Sequence, residues 1–369
     1  MPDKPPRQLS SLEIKLNAFV ENHLTRVSFV HKMLFIHHLQ IMTKAGLSIM
    51  NSLKILGEQT ENKKLGIIIR NVKDDVEKGQ QLSEALAKYP KVFPPITVSM
   101  MAAGEEAGKL EDALKNIYEQ MHKTHELNSR IRGALIYPAV VFTAMVGIAI
   151  EVVVIILPKL MTMFQEFNAT LPLPTRILIW ITNSVQSYGV WMVVGLVIFV
   201  LGAFYLIRKP KIRRVVHALN LKMPIFGVII KKINLARFTL TLTSLLSSSI
   251  PIISAVKTTS EVQTNIIYRE NLLIASEKLK KGETLSSILA KFPNTFPPMV
   301  TEMIMVGEET GQVEQMLKEM AEYYTAEVDD TMRNFSTIIE PVIILTLGLA
   351  VAGIAMAVIM PMYSLAQSV

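Results

Sequence analysis

The chain has 369 residues, of which 50% are hydrophobic and only 19% charged, with a net charge of +7 and no cysteine. Soluble chains carry roughly 25% charged residues, so this deficit, with a mean hydropathy of +0.36, marks an integral membrane protein. The absence of cysteine excludes a disulfide scaffold, Cys-ligated zinc, iron–sulfur clusters and thiol chemistry.

An N-terminal tail, 1–27, is polar through Asn22, and the apolar stretch from Val27 is broken by His31, Lys32, His37 and His38. No cleavable signal peptide is evident there. Residues 28–133 read as an all-helical cytoplasmic bundle, because apolar residues recur at i, i+3, i+4 and i+7 without period-2 alternation. One helix is expected from Phe29 to near Gly46, a second from Ile49 to Gly57, and a third through Leu65 and Val76 to a left-handed stop at Gly79. Ser83 is the expected N-cap of a short helix reaching Tyr89-Pro90; a further helix begins after Pro94-Pro95, and the last runs from about Leu110 into the membrane.

Residues 134–157, with Glu151 as their one charge, would reach about 36 Å as a helix and cross a bilayer. Residues 189–207 carry no charge and 338–363 only Glu340, giving three spans. The intervening loop, 158–188, holds only Lys159 and Arg176 as basic residues, whereas the stretch after the second span holds nine, from Arg208 to Arg237. The positive-inside rule then places the N-terminus and 208–337, a basic linker and second bundle, in the cytoplasm, with 158–188 and the tail 364–369 outside. No acidic residue occurs between Glu166 and Glu261, so the basic block signals orientation and anionic lipid. Without aromatic interleaving or a recognition module, it does not point to direct nucleic-acid binding.

The chain also aligns with itself. Phe93-Pro94-Pro95 matches Phe296-Pro297-Pro298, and 296 minus 93 is 203. At that offset Gly104-Glu105-Glu106-x-Gly108 matches Gly307-Glu308-Glu309-x-Gly311, Lys78-Gly79-x-x-Leu82-Ser83 matches Lys281-Gly282-x-x-Leu285-Ser286, Pro138 matches Pro341, and Pro158 matches Pro361. Each copy is a cytoplasmic region followed by one span, and two copies inserted in one direction need an odd number of crossings between them. The span at 189–207 supplies that crossing.

The Gly-Glu-Glu-x-Gly element has two readings. It is a tight interhelical turn, with its glycines at positive φ and a Glu complementing the next helix dipole, or its paired carboxylates also dock a basic partner surface. Gly104 to Lys109 resembles a phosphate loop only superficially, since a residue is missing between the glycines and Leu110 replaces the hydroxyl. His31, His37, His38, His122 and His125 lack a ligand pattern and read as packing or surface residues, with no metal site. No nucleophile elbow or triad is visible, so neither catalytic residues nor a cofactor are assigned. Asn168-Ala169-Thr170 fits the glycosylation pattern, a frequent chance match. Glu151, whose repeat equivalent is Ile354, is an intramembrane carboxylate that either snorkels outward or sits between packed spans. A small transporter or membrane enzyme using Glu151 is the alternative function, although three spans leave little room for a translocation path. In the third span Gly348 with Ala352, and Gly353 with Ala357, give the spacing of close helix packing.

These motifs resemble the secretion F family, the inner-membrane platform proteins of bacterial type II secretion and type IV pilus systems. The resemblance rests on Ala45-Gly46-Leu47, Gly79 with Leu82 to Leu86, Phe93-Pro94-Pro95, Gly104 to Leu110, Tyr137-Pro138 opening a span and Pro158 closing it. In the second copy it rests on Ile250-Pro251-Ile252, Gly307 to Gly311, Glu340-Pro341 and Pro361. Ser249 stands where a glycine matching Gly46 is usual, and Glu151 is not a feature of the family's first span. The resemblance implies a non-enzymatic, multi-pass platform in the bacterial inner membrane that forms homo-oligomers. Its implied partners are a cytoplasmic hexameric ATPase, inner-membrane adaptors, and pilins or pseudopilins drawn from the bilayer. An archaeal-type filament platform shares parts of the repeat.

Overall fold

In a computed structural model, residues 27–158 and 173–366 are described. The expected tail 1–27 therefore lies almost wholly outside the described residues, as do Asn168 and the last three residues. Among the described residues the architecture is all α. In the first bundle α1 is Phe29–Lys44, α2 Ile49–Gln59, α3 Lys63–Glu77, α4 Leu82–Ala87, α5 Pro95–Glu106 and α6 Leu110–Glu151. A π-helical turn, Val152–Ile156, extends α6. The second span belongs to α7, Leu173–Ile207, and α8 is Pro210–Lys222. In the second bundle α9 is Phe226–Ser247, α10 Ile252–Val262, α11 Ile266–Leu279, α12 Leu285–Leu289, α13 Pro298–Thr310 and α14 Val313–Ala366.

Local chemistry sets most helix ends. The Ser28, Ser48 and Asn62 side chains accept from the backbone N–H groups of His31, Asn51 and Leu65, capping α1, α2 and α3. Gly46 and Gly79 take φ of 85° and 89° after α1 and α3, Gly79 being the left-handed stop that the pattern predicts. Gly57 does not stop α2, which continues to Gln59. It lies instead where α2 meets α3: a Cβ there would come within 3.1 Å of Arg70 Cγ, and Arg70 donates to the Gly57 carbonyl at 3.0 Å.

The Phe-Pro-Pro elements work identically in both copies. Phe93 and Phe296 are buried, packing on Phe35 and Phe238 at ring-centroid distances of 5.7 and 5.3 Å, while the following prolines start α5 and α13. In the second core Tyr268, where the first has Leu65, packs against Phe296 and donates its hydroxyl to the Thr295 carbonyl at 2.8 Å. Burial, reinforced by Tyr324, pushes this phenol well above its usual range, so it stays a neutral donor.

Two compact units result, one of 1–128 with 231–325 and the other of 129–230 with 326–369. The first holds both bundles, α10 of the second packing on α5 of the first. The second holds the membrane segments: among the described residues three helices are long and apolar enough to span a bilayer, and many of their apolar side chains are exposed. Within it Arg130 on α6 pairs with Asp329 on α14.

Two features depart from the sequence expectations. α7 begins at Leu173, well inside the segment expected to be loop, because the apolar pattern starts before the uncharged window. The basic linker contains α8, in which Pro210 presets the first turn and Ile212, Val215, Val216 and Leu219 recur at helical spacing among Arg and Lys residues. Pro138, Pro341 and Pro361, expected as span-end or kink residues, stand inside the continuous helices α6 and α14. Pro158 follows the π-helical turn, at the last described residue before the gap.

Candidate functional site

The repeated Gly-Glu-Glu-x-Gly element is built by the end of α5 and, in the second copy, of α13. Three of its five positions have distinct structural roles. Gly108 and Gly311 adopt φ of 67° and 72°, closing the helix with a left-handed residue. The next N–H groups, of Lys109 and Gln312, donate back to the Gly104 and Gly307 carbonyls at 2.8 Å each, a Schellman stop.

Gly104 and Gly307 are not at positive φ, contrary to the turn reading, but helical and buried. They are needed for close approach. A Cβ on Gly104 would collide with that of Ala113, and one on Gly307 would lie 2.8 Å from the Val313 Cα. Each thus lets one helix cross tightly over the start of the next.

The two carboxylates separate in role. Glu105 accepts from the Leu82 and Ser83 backbone N–H groups at 2.6 and 2.8 Å; Glu308 accepts from those of Leu285 and Ser286 at 2.6 and 3.2 Å. The Ser286 hydroxyl adds a third bond to Glu308 at 2.5 Å. These glutamates therefore cap the N-termini of α4 and α12, where the charge also meets the positive helix end. Ser83 is the second residue of α4, not its N-cap, and the residue before the helix, Gln81, makes no side-chain cap bond. The cap comes from a residue distant in sequence, whereas the turn reading pointed Glu at the following helix. Gln81 and Thr284, the residues before the two helices, make no side-chain cap bond, but Thr284 is of a type that commonly caps, so the sequence carried no signal common to both copies.

Glu106 and Glu309 remain exposed. Beside the second motif a groove of about 550 Å³ is lined by Ser286, Thr301, Glu302, Met305, Glu308 and Glu309, among others.

The remaining candidates lie apart from the motif. Glu151 is the exposed last residue of α6, at the start of the π-helical turn. His37 stacks on Tyr118 at 4.1 Å and His125 on Phe29 at 5.9 Å, tying α1 to α6; burial, then neighbouring His38, lowers the His37 pKa. No group of three metal-capable side chains occurs among the described residues.

Comparison with known proteins meets the same duplication. The profile of the type II secretion system protein F matches residues 35–158 and again 238–361, whose starts differ by the 203 residues of the internal offset. The chain belongs to that family. It is 35% identical to the type IV pilus assembly protein PilC of Thermus thermophilus over 336 residues, covering 90% of this chain and 82% of the relative. It is 31% identical to the PilC of Myxococcus xanthus, with coverage of 91% and 81%, and 30% identical to the type II secretion system protein F of Vibrio cholerae, with coverage of 89% and 80%.

Proposed function

We propose that this secretion F family member is the inner-membrane platform of a type II secretion or type IV pilus machine. It couples a cytoplasmic assembly ATPase to the insertion of pilins or pseudopilins into a filament. The observation that carries this reading is the twofold repetition of one design, a bundle whose last helix, α6 or α14, continues unbroken into an apolar span. Such a helix carries rigid-body motion from a bundle toward the bilayer without a fuel site of its own. The relatives' names, pilus assembly in Thermus and secretion in Vibrio, support the same machine class. The basic block at 208–237 supports a cytoplasmic N-terminus.

Glu106 and Glu309, exposed at the repeated helix stops, supply the charge for docking the ATPase or an inner-membrane adaptor, while Glu105 and Glu308 hold the surface in shape. Charge reversal of both exposed residues, Glu106→Lys with Glu309→Lys, should reduce ATPase or adaptor co-purification and filament assembly together. Wild-type levels of both would overturn the docking role. Deletion of the gene with pilus assembly and secretion intact would overturn the platform itself.

A further inference from the structure

The two bundles are alike in fold but meet through different faces. Helices α9 and α10 of the second copy sit on α6 and α5 of the first: Arg237 donates to Asn128 at 3.1 Å, Asn116 to the Ser248 hydroxyl at 3.4 Å, and α10 packs on α5. Burial lowers the Arg237 pKa, consistent with its place inside this contact. A two-fold contact would also bury the reciprocal pair, with α1 and α2 set against α13 and α14. It does not.

Equivalent positions show this directly. Ile96 is 3% exposed but its counterpart Met299 is 42%; Gln120 is 7% exposed but Tyr323 is 43%. On the other side Thr241 is 2% exposed while its counterpart His38 lies open, and half-buried Arg237 corresponds to Leu34, exposed at 40%. Val30 and Ile41 extend the α1 stripe, at 39% and 48%. The internal interface is thus heterologous, and each chain is left with one unused face of each kind.

We propose that a second copy of this chain docks head-to-tail on these faces, its α1 and α2 lying against α13 and the start of α14 as α9 and α10 lie against α5 and α6 within one chain. Charge supports the pairing. α1 has no carboxylate and carries exposed His38 and Lys44, whereas the receiving face presents exposed Glu302, Glu319 and Glu322 against one exposed lysine, Lys318. The proposal gives an interface to the self-association that the family resemblance implies, and it does not depend on which partner Glu106 and Glu309 bind. With the spans of both bundles oriented alike, as the charge bias and the repeat imply, the repeated contact is compatible with a ring around the membrane normal.

The cysteine-free sequence makes cross-linking a clean test. The internal contact Asn116 to Ser248 translates by 203 residues into Glu319 of one chain facing Ala45 of the next. In full-length protein in its native membrane, Asn116→Cys with Ser248→Cys should be linked within one chain by a short bismaleimide. Ala45→Cys with Glu319→Cys should give a ladder of linked chains, and a mixture of the two single variants should give dimers and nothing larger. Leu34→Glu or Tyr323→Glu, both at exposed positions, should weaken association of purified protein at least about tenfold in a dilution series read by mass photometry. Links of 45 to 45 or 319 to 319 in place of the mixed link would overturn the proposal, as would a monomeric wild-type chain.

Discussion

The two copies of the Gly-Glu-Glu-x-Gly element look interchangeable in sequence, yet their close approaches differ in what lies opposite the first glycine. Gly104 faces a side chain, the Ala113 Cβ, whereas Gly307 faces backbone, the Val313 Cα at 2.8 Å. A side chain can be trimmed and a main chain cannot, so the same substitution has different remedies in the two copies. Gly307→Ala should cost about 3 kcal/mol, the upper range for overpacking, and no single neighbouring substitution should restore it. Gly104→Ala should cost a similar amount, on the order of 2–3 kcal/mol, but Ala113→Gly should recover much of that. Denaturant titration of Gly307→Ala, Gly104→Ala and the Gly104→Ala/Ala113→Gly double variant in detergent, with a fluorescent reporter on each bundle, measures the difference; failure of Ala113→Gly to rescue Gly104→Ala would remove the distinction.

The next largest effect is expected at the caps. Each of Glu105 and Glu308 holds two backbone N–H groups at the start of a very short helix, α4 or α12, that makes no side-chain cap bond of its own. Hydrogen bonds to a charged group contribute about 1.5–3 kcal/mol, so Glu105→Ala or Glu308→Ala should lose about 2 kcal/mol locally. Amide exchange at Leu82 and Ser83, or at Leu285 and Ser286, should then be roughly thirtyfold faster. Glu308 also accepts from the Ser286 hydroxyl, so Ser286→Ala should reproduce part of the loss in the second copy. Ser83→Ala should leave the first copy nearly unchanged. Equal exchange rates in wild type and the glutamate variants would show that the caps contribute nothing.

The contrast also explains what could be read from the sequence. Some helix ends fixed by neighbours in the chain were legible, as at Gly46 and Gly79, because the stop lies within a residue or two of the helix. The spans were legible because composition alone defines them, although their beginnings were not: α7 starts at Leu173, ahead of the uncharged window, and α6 and α14 pass through prolines. The Gly-Glu-Glu-x-Gly motif was visible as a repeat, but its chemistry was not. Glu105 acts on Leu82 and Ser83, more than twenty residues away, and no local pattern distinguishes it from Glu106. The unequal burial of the two copies was equally hidden, since Ile96 and Met299 are both apolar residues at one helical position. Only packing separates them.

The smallest expected effect returns to the one place where the second copy departs from the glycine usual at a helix end. Ser249 occupies the left-handed region at φ 60°, where its counterpart Gly46 sits at 85°, and the N–H of the following residue closes the turn in both, Leu47 to Met42 and Ile250 to Leu245. A side chain in that conformation costs roughly 1–2 kcal/mol relative to glycine, offset in part by the greater freedom that glycine has in the unfolded chain. Ser249→Gly should therefore stabilise the second bundle by about 0.5–1 kcal/mol, and Gly46→Ser should destabilise the first by a similar amount. No heavy atom stands within 4 Å of the Cβ position at Gly46, so the penalty there is backbone strain alone. If Ser249→Gly leaves the unfolding midpoint of the second bundle unchanged while Gly46→Ser lowers that of the first, the serine has compensated its strain locally, and the two helix ends are equivalent in energy although not in residue.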